Sequence, residues 1–293
     1  MNNNVELKQN IQDVLFSLPE VELHGIQKGD ESQPIVLCLH GWLDNAASFI
    51  PLMNELEQHQ VIAIDWPGHG HSAHRGQDAH YHFIDYVYDL LLLFEFNQWQ
   101  SVDIVAHSMG GMIASAFAAA FPEKVNSLTL IDSIGFISAQ SEETTEHLRN
   151  GMLSRLKLKG KRKPIHPDLE SAISARRAVS DLRYDDAKLL VERGSLAIES
   201  GITWRADSRL RNTSPYRLTF SQAKQFIKDI TIPVQLIYGD KGIEFVELGL
   251  AHYAPLFKRF SAHKLNGGHH VHMEQAKKTA VIVESFLEKH NDI

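Results

Sequence analysis

Cysteine is almost absent from this chain. Cys38 is the only one among 293 residues, so no internal disulfide can form and no thiolate cluster can hold a metal. It sits in the apolar run "IVLCLHG", where a free thiol reads as a small buried hydrophobe. Long hydrophobic runs are missing too. The greasiest stretch, Leu90 to Phe94, falls far short of the roughly 18 apolar residues that a membrane span needs. The opening "MNNNVELKQN" has neither a basic n-region nor an apolar h-region, which predicts no signal peptide and a cytosolic address. Positive charge is in deficit, 29 Lys+Arg against 36 Asp+Glu. That argues against nucleic acid as the main partner, because phosphate contacts need a basic face.

The charge is unevenly spread. From Arg149 to Arg217, 16 Lys+Arg stand against 8 Asp+Glu, leaving 13 against 28 for the rest of the chain. The run "KLKGKRK" (157–163) is its densest part, and two readings stay open: a solvated mobile loop, or a basic lid over a site.

What is present is a rhythm of short β-type runs: "PIVLCLH" (34–40), "VIAID" (61–65), "SVDIVAH" (101–107), "SLTLID" (127–132), "PVQLIY" (233–238) and "RFSAHKL" (259–265). The middle ones are almost continuously apolar, as strands buried on both faces are. Helix-spaced segments at 83–96, 111–121 and 278–289 alternate with them. Strand and helix in alternation predict an α/β fold with a mostly parallel, doubly wound sheet. The start of the chain has the period-two character of an antiparallel lead-in hairpin. After Asp132 the alternation stops until about Phe220, and the stretch between contains helix-like pieces rich in Arg and Ser with no convincing strand. The expectation is a core formed by 1–137 and 218–293, interrupted by an all-helical cap at 138–217.

One strand-to-helix junction carries chemistry. Ala106-His107-Ser108-Met109-Gly110 sits where the run 101–107 gives way to a helix, the context of a nucleophile elbow. Small residues two before and two after the serine let strand and helix backbones approach around a strained turn, and alanine can stand for the first glycine. A serine before a helix can equally be an ordinary N-cap. Three other segments join it: "LCLHGWLDNAASF" after one strand, "AIDWPGHGHS" after the next, and "NGGHHVHMEQ" after the last.

Together these motifs resemble the α/β-hydrolase superfamily, and "LCLHGWLDNAASF", "VAHSMGG", "SPYRLT" and "GGHHVHME" look most like its serine hydrolase-like proteins. The resemblance implies Ser108 as nucleophile and His269 as base, with His270 in reserve and His272 a loop or core histidine. Backbone N–H groups of Trp42 and Met109 would form the oxyanion hole. The family's usual acid falls in Gly239-Asp240-Lys241-Gly242, where the expected position is glycine. Some members carry the acid one strand earlier, which points to Asp132, with Asp240 and Glu244 as alternatives. The activity implied is hydrolysis of a small-molecule carboxylic ester through an acyl-enzyme, with no cofactor and no metal. Thioester and carbon–carbon bond cleavage remain open on the same triad.

Two readings of other classes compete. His69, His71 and His74 form an H-x-H-x-x-H skeleton suited to dinuclear zinc, although Ala73 stands where those sites want Asp. A non-catalytic binding module of the same fold would have lost nucleophile or base, and here both are present. In the cap, Leu182, Leu189, Leu190 and Leu196 are expected to supply packing and pocket lining. Arg176, Arg177, Arg183 or Arg205, if turned inward, would call for an anionic substrate group.

Overall fold

The computed structural model describes residues 10–158 and 162–291. The opening residues read for a leader lie outside that range, apart from Asn10, as do residues 159–161 of the basic run. In chain order the strands are β1 (Gln12–Ser17), β2 (Glu22–Lys28), β3 (Ile35–Leu39), β4 (Gln60–Ile64), β5 (Val102–His107) and β6 (Val125–Ile131). Five short ones follow, β7 (Ser138–Ala139), β8 (Ile165–His166), β9 (Ser195–Ile198), β10 (Gly201–Trp204) and β11 (Leu218–Thr219), and then β12 (Val234–Gly239) and β13 (Phe260–Leu265). Eight of these make one sheet in the order β1-β2-β4-β3-β5-β6-β12-β13. From β4 to β13 every neighbour is parallel, and the β1–β2 hairpin joins antiparallel on β4.

The apolar runs form strands because alternate residues serve two separate cores. In β3, Leu37 and Leu39 join the cluster with Leu90, Phe94 and Phe117, while Val36 and Cys38 point to the other face with Phe49, Val283 and Leu287. Cys38 is fully buried and burial pushes its thiol pKa up, so it stays protonated. Helices Phe83–Asn97, Met109–Ala120 and Phe220–Asp229 cover the first face, and Ala276–Asn291 covers the second. Among the described residues no helix is long and apolar enough to cross a membrane.

The interrupting stretch corrects one expectation. It contains helices Thr144–Leu158, Leu169–Arg177 and Tyr184–Gly194, but it is not all-helical: β8, β10 and β9 form a three-stranded antiparallel sheet. These strands are two to four residues long and β9 is mostly exposed, so they leave no burial periodicity in the sequence. The stretch is tied to the rest by charge. The Arg193 Nε donates to the buried Asp65 carboxylate at 2.9 Å and its Nη1 to Asp13 at 2.9 Å.

Candidate active site

Parallel strands deliver their side chains to a shared crevice at their carboxyl ends, and two adjacent strands end here in strained backbone. Ser108, just past β5, has φ 51° and ψ −118°, and Asp132, just past β6, has φ 43°. Left-handed backbone at a non-glycine residue costs on the order of 1–3 kcal/mol, and surrounding structure must hold it. Here each strand continues its ladder one residue into the turn: Ser108 N donates to Ile131 O (3.0 Å) and Asp132 N to Ile237 O (2.8 Å). Close packing completes the Ser108 turn. A Cβ at Gly110 would lie 2.3 Å from the Leu39 carbonyl oxygen, so the helix start can meet the end of β3 only without one. Ser108 makes no side-chain capping bond, which removes the N-cap reading.

Asp132 is buried and faces donors only. Its Oδ1 accepts from Gly239 N (3.3 Å), and its Oδ2 accepts from Ile243 N (3.1 Å) and pairs with His269 Nδ1 at 2.6 Å. A carboxylate cannot donate, so His269 carries its proton on Nδ1 and leaves Nε2 as an acceptor. Ser108 and His269 line one cavity of about 900 Å³. The N–H groups of Trp42 and Met109 have no hydrogen-bond partner among the described residues.

The alternative acids do not reach this histidine. Asp240 is exposed and accepts from Gly267 N at 2.9 Å; Glu244 is exposed at the start of helix Glu244–Tyr253. His272 is fully buried against Phe49 and His107, with neither ring nitrogen bonded among the described residues. The H-x-H-x-x-H residues do not converge. His69 bonds Pro67 O, His71 packs edge-on against His24, and His74 bonds Arg205 O and pairs with Asp207.

His270 has a different place from the one sequence gave it in reserve. It lies between two carboxylates, with Nε2 3.1 Å from Asp44 Oδ2 and Nδ1 3.1 Å from Asp181 Oδ1. Burial alone would lower its pKa; Asp44 and Asp181 push it up to about 9, so it is a cation and cannot act as a base. Asp44 also takes the Arg176 guanidinium at 2.5 Å. Burial would raise the Asp44 carboxyl, but the charges of His270 and Arg176 hold it well below the usual carboxylate range.

The network grips the His269 backbone from both sides. Asp181 accepts from His269 N, and His107 Nε2 donates to His269 O at 3.0 Å. His107 is fully buried, and burial, with His269 and His270 nearby, pushes its pKa down to about 4. Asp44, His107 and Asp181 went unrecognised in the sequence, and Arg176, if turned inward, was expected to face a substrate anion and not Asp44; the Asp two residues after Trp42 and the paired histidines 269–270 were the available signals. Asp44, His107 and His270 offer atoms within 4.8 Å of one another, a spacing that could hold a metal ion. Two protein cations, Arg176 and His270, already occupy the carboxylate there.

These two histidines give stability opposite slopes. His270 is raised from about 6.5 unfolded to about 9 folded, so its contribution is full below 6.5 and is lost as pH rises through 9. His107 is lowered, so its contribution is full above about 6.5 and is lost as pH falls toward 4. Urea unfolding at a series of pH values should therefore show maximal stability near neutrality and a loss of roughly 3 kcal/mol by about pH 9.5. His270→Gln should flatten that alkaline arm, and unchanged wild-type stability from neutrality to pH 9.5 would contradict the two-carboxylate clamp.

The cavity draws on both parts of the chain: Gly41, Ser108 and His269 from the sheet ends, Arg176, Leu190 and Trp204 from the interrupting stretch. Of the four leucines expected there, only Leu190 lines it; Leu182 and Leu189 pack in a satellite core with Ile173, and Leu196 is exposed. Of the four arginines, only Arg176 reaches the cavity. Arg177 is exposed, Arg183 bonds Asp186, and Arg205 bonds Ser195 O.

A family model of the alpha/beta hydrolase fold matches residues 34–276. A serine hydrolase-like protein of Danio rerio is 28% identical over 282 residues, covering 92% of this chain and 86% of that one. A solved structure of a hypothetical protein from Pseudomonas aeruginosa PAO1 is 36% identical and superposes with a TM-score of 0.90, over 94% of this chain and 99% of that one. The thioesterase domain from the curacin biosynthetic pathway is 24% identical, with a TM-score of 0.84 over 94% of this chain and 100% of its own, a likeness of fold alone.

Proposed function

This chain belongs to the alpha/beta hydrolase fold family, and from that premise we propose that it is a serine hydrolase cleaving a carboxylic ester through an acyl-enzyme. The observation that carries the reading is the 2.6 Å pairing of His269 Nδ1 with buried Asp132, in a cavity that also holds Ser108 in strained backbone. In this mechanism His269 Nε2 takes the Ser108 proton, and the alkoxide adds to the acyl carbon. The backbone N–H groups of Trp42 and Met109, unpaired among the described residues, receive the negative charge that develops on the acyl oxygen. His269 returns the proton to the leaving alcohol, the C–O bond breaks, and water repeats the cycle on the acyl-enzyme to release the acid. The grip of Asp181 and His107 on the His269 backbone supports the reading, because a base loses efficiency when its position wanders. The described parts of 138–217 serve as the cap that closes the substrate cavity.

The test is covalent. A fluorophosphonate should add one adduct to the intact protein, mapped to the peptide carrying Ser108, and p-nitrophenyl esters should give an acyl-enzyme burst. A panel of matched esters, thioesters and vinylogous diketones then assigns the bond. No adduct and no turnover anywhere on the panel would overturn the reading in favour of a binding module.

A further inference from the structure

Charge on the wall of the cavity is unevenly matched. Each of its three carboxylates has a cation of its own: Asp44 has Arg176 and His270, Asp181 has His270, and Asp207 has the Arg209 guanidinium at 2.7 Å. Three cations on the same wall have no carboxylate within ion-pair distance among the described residues, although Asp207 attracts Lys163 from farther off. Lys163 Nζ donates to two carbonyls, Trp204 O (3.0 Å) and Arg205 O (3.1 Å). Arg211 lies over the Trp42 ring at 5.9 Å, and Arg162 has no bonded partner among the described residues.

Carbonyl dipoles and an aromatic face orient a cation without neutralising it. An ammonium has three N–H donors, and the two carbonyls leave one of Lys163's unused. Lys163 is half-buried, and burial lowers its pKa by more than the attraction of Asp207 raises it, as expected of a charge that lacks a full counterion. The orientation is also fixed in advance. Trp42, which carries Arg211, is itself pinned by its indole N–H to Leu210 O at 3.0 Å. Preset donors cost little ordering on binding, so a ligand anion gains most of the interaction. The stretch from Arg149 to Arg217 that supplies these cations carries 16 Lys+Arg against 8 acids, a net positive charge that favours an anionic ligand.

We propose that Lys163, Arg162 and Arg211 form an anion subsite, and that the substrate is an acyl ester bearing a carboxylate or phosphate group remote from the scissile bond. The proposal rests on the hydrolase reading for the ester and on the cavity's cations for the anion. Arg162 and Arg211 are exposed, so the subsite opens to solvent and its attraction is sensitive to salt. The cap arginines expected from sequence are not the ones that serve: they are satisfied within the protein or point outward, apart from Arg176, which is held by Asp44.

The experiment compares three esters with the same leaving group, ending in a methyl, a carboxylate or a phosphate, on the full chain and its Lys163→Met and Arg211→Gln variants. Expected is a kcat/KM for one of the anionic esters about tenfold above the neutral one at low ionic strength, carried by KM and shrinking as salt is added. Each variant should cut that ratio by roughly fivefold, and Lys277→Met, on the C-terminal helix, should leave it as it is. Whichever anionic arm is preferred names the group. Binding of the same esters to Ser108→Ala gives a second readout that needs no catalysis, and the same preference and the same loss should be seen there. Equal or better turnover and binding of the neutral ester, indifferent to both substitutions, would overturn the subsite. Turnover of the neutral ester by wild type but not by Ser108→Ala would leave the hydrolase reading standing in that event.

Discussion

Ser108→Ala is expected to abolish fluorophosphonate labelling and to lower ester turnover by on the order of 10⁵ to 10⁶, leaving only what the oxyanion donors and binding provide. The same change should barely alter stability. Ser108 makes no side-chain capping bond, so the helix start loses no cap with its hydroxyl, and alanine pays the same backbone strain at φ 51°. Ser108→Gly is the complementary variant: it should be as inactive yet match or exceed the wild-type Tm, because glycine adopts that φ without penalty while adding freedom to the unfolded chain. Measured together, turnover and Tm separate a chemical role from a structural one. Turnover retained in Ser108→Ala would remove the serine from the mechanism altogether.

The parts of this molecule that could be read from the sequence are those whose physics is local. Residues of β3 to β6 bury both faces, so each strand is a short apolar run whatever lies beside it. Ser108 was legible because its turn demands small neighbours within two residues, and Gly110 is one such contact. Asp132 came into view only through the family resemblance, in which some members carry the acid one strand earlier than the position held here by Gly242, and Asp240 and Glu244 stayed open beside it. The Asp44–Arg176–His270–Asp181 network is another kind of object. Its members come from three distant segments, around Asp44, around Arg176 and Asp181, and at His270, and they meet only in three dimensions, so no spacing encodes them. The cap charges fall between the two cases. The basic excess was visible in the sequence, but not which of its residues line the cavity: Arg176 and Arg177 are adjacent on one helix, about 100° apart, and only the first turns in.

Asp132→Asn should lower kcat by on the order of 10⁴, the scale of the analogous change in a serine protease, whereas Asp240→Asn should cost little. The reason lies in the donors around the side chain. Gly239 N, Ile243 N and His269 Nδ1 all point hydrogens at the carboxylate, and an asparagine has one accepting oxygen and an NH₂ group. If the oxygen faces His269 and Ile243, the NH₂ opposes the Gly239 N–H. If the amide turns over, its NH₂ drives the His269 proton to Nε2, where the ring can no longer accept from Ser108. Asp240 accepts Gly267 N at an exposed position with no contact to His269, so its loss touches only a loop. The reverse ranking would return the acid to the later strand. A swap sharpens the test. A Cβ at Gly242 would fall 2.2 Å from Asp132 Oδ1, so a side chain at 242 would occupy the space that the Asp132 carboxylate now fills. Asp132→Gly empties it, and glycine suits φ 43°. Adding Gly242→Asp to Asp132→Gly should restore turnover by about tenfold or more over the single variant, because a carboxylate of either origin can hold the same imidazole tautomer. A double variant no better than the single one would show that this place in the fold, and not merely a nearby charge, belongs to Asp132.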